Sequence, residues 1–174
     1  MKIVITLVAA VVVAMVVLAM PPDLAPGKIT GYFMTARVYD ALFVYEIARY
    51  PAYGEILNLE VVNESIGIGL SSDTDALDFG KMPGNGSFSK KFILVNNTNN
   101  DAVLVSAKIY GNITPLISFD RNDFVLHINE SAEIGAYFKT KTDNQSFGAG
   151  NYSGELDIVI KRPQYEVLYW FLGW

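Results

Sequence analysis

An all-β, two-sheet sandwich of about seven short strands, preceded by an N-terminal transmembrane helix, is the architecture this sequence predicts. Three observations carry it. From Gly54 onward apolar residues alternate with polar ones at period two, as a sheet with one buried face demands. Clusters rich in Gly, Pro, Asn and Asp punctuate that alternation at short intervals. Ahead of it all, Ile3 to Met20 is an apolar run of 18 residues broken only by Thr6.

That run defines the first segment, residues 1–21. At 1.5 Å per residue it reaches about 27 Å, close to the ~30 Å hydrocarbon core of a bilayer. Lys2 and the α-amino group precede it, so the N-terminus belongs in the cytoplasm and the rest of the chain outside, making a single-pass cell-membrane protein. A cleaved leader has the same charge pattern, but Pro21 and Pro22 directly after the run make a poor cleavage site.

Residues 22–53 read as a spacer and juxtamembrane segment. Pro21, Pro22, Pro26 and Gly27 stiffen its start. Met34, Val38, Ala41, Leu42, Tyr45 and Ala48 recur every three or four residues, which predicts a short amphipathic helix ending before Pro51. Tyr39, Phe43, Val44, Tyr45 and Tyr50 are also strand formers, so a strand is the competing reading. Arg37, Asp40 and Glu46 argue against a second membrane span.

The sandwich proper is expected over 54–163. Its strands are marked by Leu57, Leu59 and Val61; by Ile66, Ile68 and Leu70; and by Phe88, Phe92 and Leu94, opposed by Ser89 and Lys91. Val103, Val105, Ala107 and Ile109 follow, then Phe124, Leu126 and Ile128, then Ile134, Ala136 and Phe138, and last Leu156, Ile158 and Ile160. Polar turns at 83–86, 96–101, 111–115 and 143–151 separate them, giving a sandwich of immunoglobulin type without its disulfide or core tryptophan.

Seven of the twelve asparagines begin an Asn-x-Ser/Thr triplet: Asn63, Asn85, Asn96, Asn112, Asn129, Asn144 and Asn151. Random composition gives about one or two, so the excess predicts an exported glycoprotein. All seven follow the apolar run, which agrees with the orientation from Lys2.

The rest of the composition excludes more than it offers. With no cysteine and a single histidine, His127, there is no thiol chemistry and no multi-histidine metal site. A net charge of −5 repels nucleic acid. No Gly-x-Ser-x-Gly elbow, catalytic set or phosphate loop occurs, so we expect no enzyme, no cofactor and no small-molecule substrate. Asp73, Asp75 and Asp78 are oxygen ligands at a spacing that calcium uses, but they lack the twelve-residue loop with its closing glutamate, so a solvated loop is the better reading. Asp120, Asn122 and Asp123 form a weaker oxygen cluster, where Asn122 or Asp123 suits a turn.

The tail, residues 164–174, is the remaining candidate for a specific contact. Tyr165, Leu168, Tyr169, Trp170, Phe171 and Trp174 crowd into ten residues, too few to span a bilayer. Such a tail can pack on the juxtamembrane segment, sit in the membrane interface, or extend as a strand into a neighbour. A protein partner or self-association is therefore expected, besides the bilayer around residues 3–20. Neither Gly31 to Tyr53 nor Tyr165 to Trp174 contains an acceptor triplet.

The stretches Leu77-Asp78-Phe79-Gly80, Pro83-Gly84-Asn85-Gly86-Ser87-Phe88 and Phe92-Ile93-Leu94-Val95-Asn96-Asn97 resemble the opening of small immunoglobulin-like domains in archaeal membrane-anchored surface proteins. The resemblance continues through Asn122 to Leu126 and Asn129-Glu130-Ser131, and closes at Gly150-Asn151-Tyr152-Ser153-Gly154, covering about Ile66 to Arg162. It implies a structural or adhesive surface role. The Gly86-Ser87-Phe88 strand entry and the Asn-rich turn are also similar to camelysin-like biofilm fibre proteins, which implies a filament built by strand addition as the alternative. This chain lacks the leader and cleavage context usual in those fibres.

Overall fold

The computed structural model describes residues 34–58, 75–84, 86–142 and 145–173. Eleven strands run through them: β1 Met34–Tyr39, β2 Phe43–Leu57, β3 Leu77–Pro83, β4 Phe88–Asn96, β5 Val103–Gly111, β6 Ile117–Phe119, β7 Phe124–Leu126, β8 Ser131–Lys139, β9 Lys141–Thr142, β10 Gln145–Ser146 and β11 Gly150–Pro163. A 3-10 turn at Thr114–Leu116 leads into β6, and a short helix, α1, covers Glu166–Leu172. The anchor expected at residues 3–20 and the strand expected at Ile66 to Leu70 lie outside the described residues. Among those described, no helix is long and apolar enough to cross a membrane.

The strands form an all-β sandwich. The larger sheet runs β1-β2-β11-β5-β7, with β3 on the same edge of β2 as β1 but further along it; the smaller runs β4-β8-β6. Pairing is antiparallel except between β2 and β3, which run parallel. β9 and β10 make a separate two-stranded ribbon.

The helix expected between Met34 and Ala48 is replaced by β1 and β2. Phe43 to Ile56 is hydrogen-bonded in register to β11 across its whole length, from Phe43↔Pro163 to Ile56↔Gly150. Three-to-four spacing of apolar residues also arises in a strand buried on both faces, and β2 is such a strand. Phe43, Tyr45 and Ile47 are buried on one side of it, Val44, Ala52 and Ile56 on the other. Tertiary pairing and β-branched or aromatic side chains override the helical periodicity.

Between the sheets, Phe138, Ile134 and Ala136 of β8 meet Val103 and Val105 of β5, Leu156 and Ile158 of β11, and Phe79 of β3. Phe79 and Phe138 stack with ring centroids 5.4 Å apart. Gly54 of β2 is the only residue type that fits beneath this stack, since a Cβ there would lie 2.6 Å from the Phe138 ring. A second cluster, Phe43, Tyr45, Ile47 and Val159, lies on the other face of the larger sheet with Val38 and Leu42.

The turns follow the chemistry of their residues. Asn97, 3% exposed, donates from Nδ2 to the carbonyls of Asp101, Leu126 and His127 at 2.9, 3.1 and 3.0 Å, and its Oδ1 accepts from the Asn99 N–H at 3.0 Å. It thereby ties the β4–β5 turn to the end of β7. Asn97→Ala should cost about 1–3 kcal/mol, because buried carbonyls lose their donor. An unchanged urea midpoint would contradict that role. Asn122 likewise bonds both backbone groups of Ala107, at 2.6 and 3.0 Å, so this oxygen cluster does fix a turn. Asp123 and Asn129 take left-handed conformations, with φ of 50 and 58.

Candidate contact surface

The aromatic tail forms a seven-residue helix on the end of the sandwich that holds the β1–β2 turn. Gln164 attaches it there: its backbone N–H donates to the Leu42 carbonyl at 2.8 Å and its side chain donates to the Asp40 carbonyl at 2.6 Å. Gly173, at φ 67, ends the helix with its N–H on the Tyr169 carbonyl. Leu168 and Tyr169 are half-buried. Burial, then the Asp101 carboxylate, pushes the Tyr169 phenol up. Tyr165, Val167 and Trp170 face outward, Trp170 at 79% exposure. The Phe171 side chain and Trp174 lie outside the described residues.

A second apolar surface lies on the outer face of the smaller sheet. Sequence alternation marks Phe88, Phe92 and Leu94 as the apolar side of β4, and the structure turns that side to solvent: they are 65, 62 and 61% exposed. The register explains the inversion. Ile93 pairs with Ile134 and Val95 with Ala132, and these four face the core. A strand has period two, so its other side must point out. Both sides of β4 are apolar from Phe92 to Val95, and alternation alone does not choose between them.

On that outer face Lys90 lies between the Phe92 and Tyr137 rings, 4.5 and 4.6 Å from their centroids, and reaches Asp120 at 3.2 Å. Gly135 makes room for this crossing, because a Cβ there would clash with both Asp120 and Lys90. The Gly135 N–H donates to Asp120 at 2.7 Å and, with Lys90, holds that carboxyl below its usual range. Tyr137 and then Asp120 hold the Lys90 ammonium up.

Asp78 accepts the Gly80 N–H at 2.8 Å, Asp75 is exposed, and Asp73 lies outside the described residues. Among the described residues no group of three or more His, Asp or Glu is placed to hold a metal ion. His127 is exposed, and its backbone N–H donates to Glu130 at 2.8 Å. Of the acceptor asparagines, Asn96, Asn112, Asn129 and Asn151 are all exposed, at strand ends or in turns; Asn63, Asn85 and Asn144 lie outside the described residues.

Sequence reasoning did not foresee the ion cluster on the far face of the larger sheet. Arg49 of β2 grips Asp157 of β11 with two bonds of 2.6 Å and lies 3.4 Å from Glu155. Both carboxylates are fully buried, and the guanidinium lies 5.9 Å from the Tyr110 ring centroid. Leu156, Ile158 and Ile160 were the expected buried side of β11, yet Glu155, Asp157 and Val159 are buried as well. The signal was present in the composition of β11, where two acids sit between core residues, but their cation comes from 108 residues away.

No protein-family model matches this chain, and no curated protein matches it.

Proposed function

We propose that this chain is a non-catalytic, membrane-anchored extracellular glycoprotein that makes structural or adhesive contacts through an immunoglobulin-like domain. The observation that carries the reading is the set of seven acceptor triplets, all beyond one N-terminal apolar run. The four described acceptors are exposed at strand ends and turns, where an attached sugar leaves the ladders intact. The sandwich supports it further, since it presents apolar contact surfaces at the tail helix and on β4.

The intact mass of protein extracted from its native membrane tests this. We expect residues 1–20 retained and several sugar-sized increments. A mass matching the bare polypeptide would refute the glycoprotein, and one short by the apolar run would refute the anchor.

A filament subunit assembled by strand addition is the second reading, and one observation favours it. β4 is an edge strand of the smaller sheet. Beside it runs a groove of about 170 Å³, lined by Tyr50, Leu77, Ile93 and Leu156. A neighbour's strand added along β4 could seat one side chain in such a groove. Regular ladders of detergent-resistant multimers from native membranes would support it; discrete small species would not.

A further inference from the structure

We propose that the outer face of the smaller sheet, β4 with β8, packs against the same face of a second copy of this chain in a two-fold dimer. This goes beyond the functional reading above and uses a sheet face, where strand addition would use an edge.

The face changes in character along its length. Its outward pairs, from one end to the other, are Phe88 with Lys139, Lys90 with Tyr137, Phe92 with Gly135 and Leu94 with Glu133. The Lys91–Ala136 pair lies at the centre of this series. A two-fold axis between two such faces, perpendicular to the strands at that central pair, reverses one series against the other while keeping β4 over β4 and β8 over β8. Lys139 then meets Glu133 of the partner subunit, and the same contact recurs by symmetry. Phe88 meets Leu94 of the partner subunit, and Lys90 meets Phe92 of the partner subunit, a cation over an aromatic ring.

The charged contacts in that register are complementary, and the other two-fold arrangement leaves them unpaired. An axis parallel to the strands would instead lay β4 over β8, setting Lys139 against Phe88 of the partner subunit and Glu133 against Leu94 of the partner subunit, so neither charge would meet its opposite. Charge complementarity therefore selects both a second copy and its orientation.

The surface is suited to the task. Phe88, Phe92 and Leu94 are each more than 60% exposed. Together they present on the order of 300 Å² of apolar area, the scale of the largest patch on a typical monomer. Lys139 and Glu133 are exposed at its two ends, as a polar rim requires. Aligned sheets pack about 10 Å apart, close enough for these side chains to meet. Asn96 lies on the same face but beyond Leu94, opposite Ser131, so a sugar there borders the overlap without entering it.

Sedimentation equilibrium of the full chain in detergent tests this, with circular dichroism confirming that each variant folds. The wild-type chain should show a concentration-dependent dimer, and Phe92→Asp should leave a monomer. Lys139→Glu or Glu133→Lys alone should weaken the dimer about tenfold, because each reversal creates two repulsive contacts by symmetry. The double reversal, K139E with E133K, should restore it. A wild-type chain that stays monomeric overturns the proposal. A dimer indifferent to Phe92→Asp also overturns it, since that assigns the contact to the anchor or the tail helix. Failure of the double reversal to restore what each single one lost overturns the two-fold register. If the wild type is monomeric and the face variants instead lose a crosslinked surface neighbour, the face belongs to a foreign protein.

Discussion

Arg49→Ala should destabilise the protein by about 3–5 kcal/mol, the range for removing one partner of a buried ion pair. Asp157 and Glu155 are fully buried beside the guanidinium. Without it, both must remain in a medium that solvates carboxylates poorly. Arg49→Lys keeps the charge but loses the planar fork that meets Asp157 with two bonds, so it should fall between wild type and alanine. Urea unfolding followed by circular dichroism of the strands gives the ranking. An alanine variant within about 1 kcal/mol of wild type would show that the cluster contributes nothing net.

Phe138→Ala should cost a similar 3–5 kcal/mol, from the lost transfer energy and from the cavity left between the sheets. Its ring is fully buried against Phe79 and over Gly54. The contact with Gly54 gives the prediction a second arm. Gly54→Ala alone puts a methyl 2.6 Å from a ring atom and should cost about 1–3 kcal/mol by overpacking. In the Phe138→Ala background the same methyl enters the cavity, so its cost should vanish or change sign. Additive losses in the double variant would mean that the two positions do not share that space.

Much of the sandwich could be read before the structure because its turns are chemically explicit. β5, β8 and the second half of β11 stand where alternation places them, between clusters of Asn, Asp, Gly and Pro. The first strands could not be read so directly. β2 is buried on both faces, and the spacing of its apolar residues also fits a helix. The phase of β4 was ambiguous for a related reason: Phe92 and Leu94 compete with Ile93 and Val95, and the pairing with β8 decides between them. That ambiguity hid the candidate contact face, since residues expected in the core carry it. The aromatic tail was visible in the sequence because ten crowded residues need no fold to be conspicuous. The Arg49 cluster was invisible because it exists only once β2 and β11 lie side by side.

The pairing of β2 with β11 also sets a timetable. Two strands at the middle of the larger sheet are joined across roughly a hundred intervening residues, from Phe43↔Pro163 to Ile56↔Gly150. As the chain emerges from its N-terminus, β2 appears early and must wait for its neighbour. The larger sheet cannot close until the chain has been made as far as Pro163. Asn151 belongs to that final strand, and every other acceptor precedes it. Each Asn-x-Ser/Thr triplet is therefore synthesised while the chain is still open, so on the proposed reading an enzyme that modifies asparagines would meet them before the sandwich shuts.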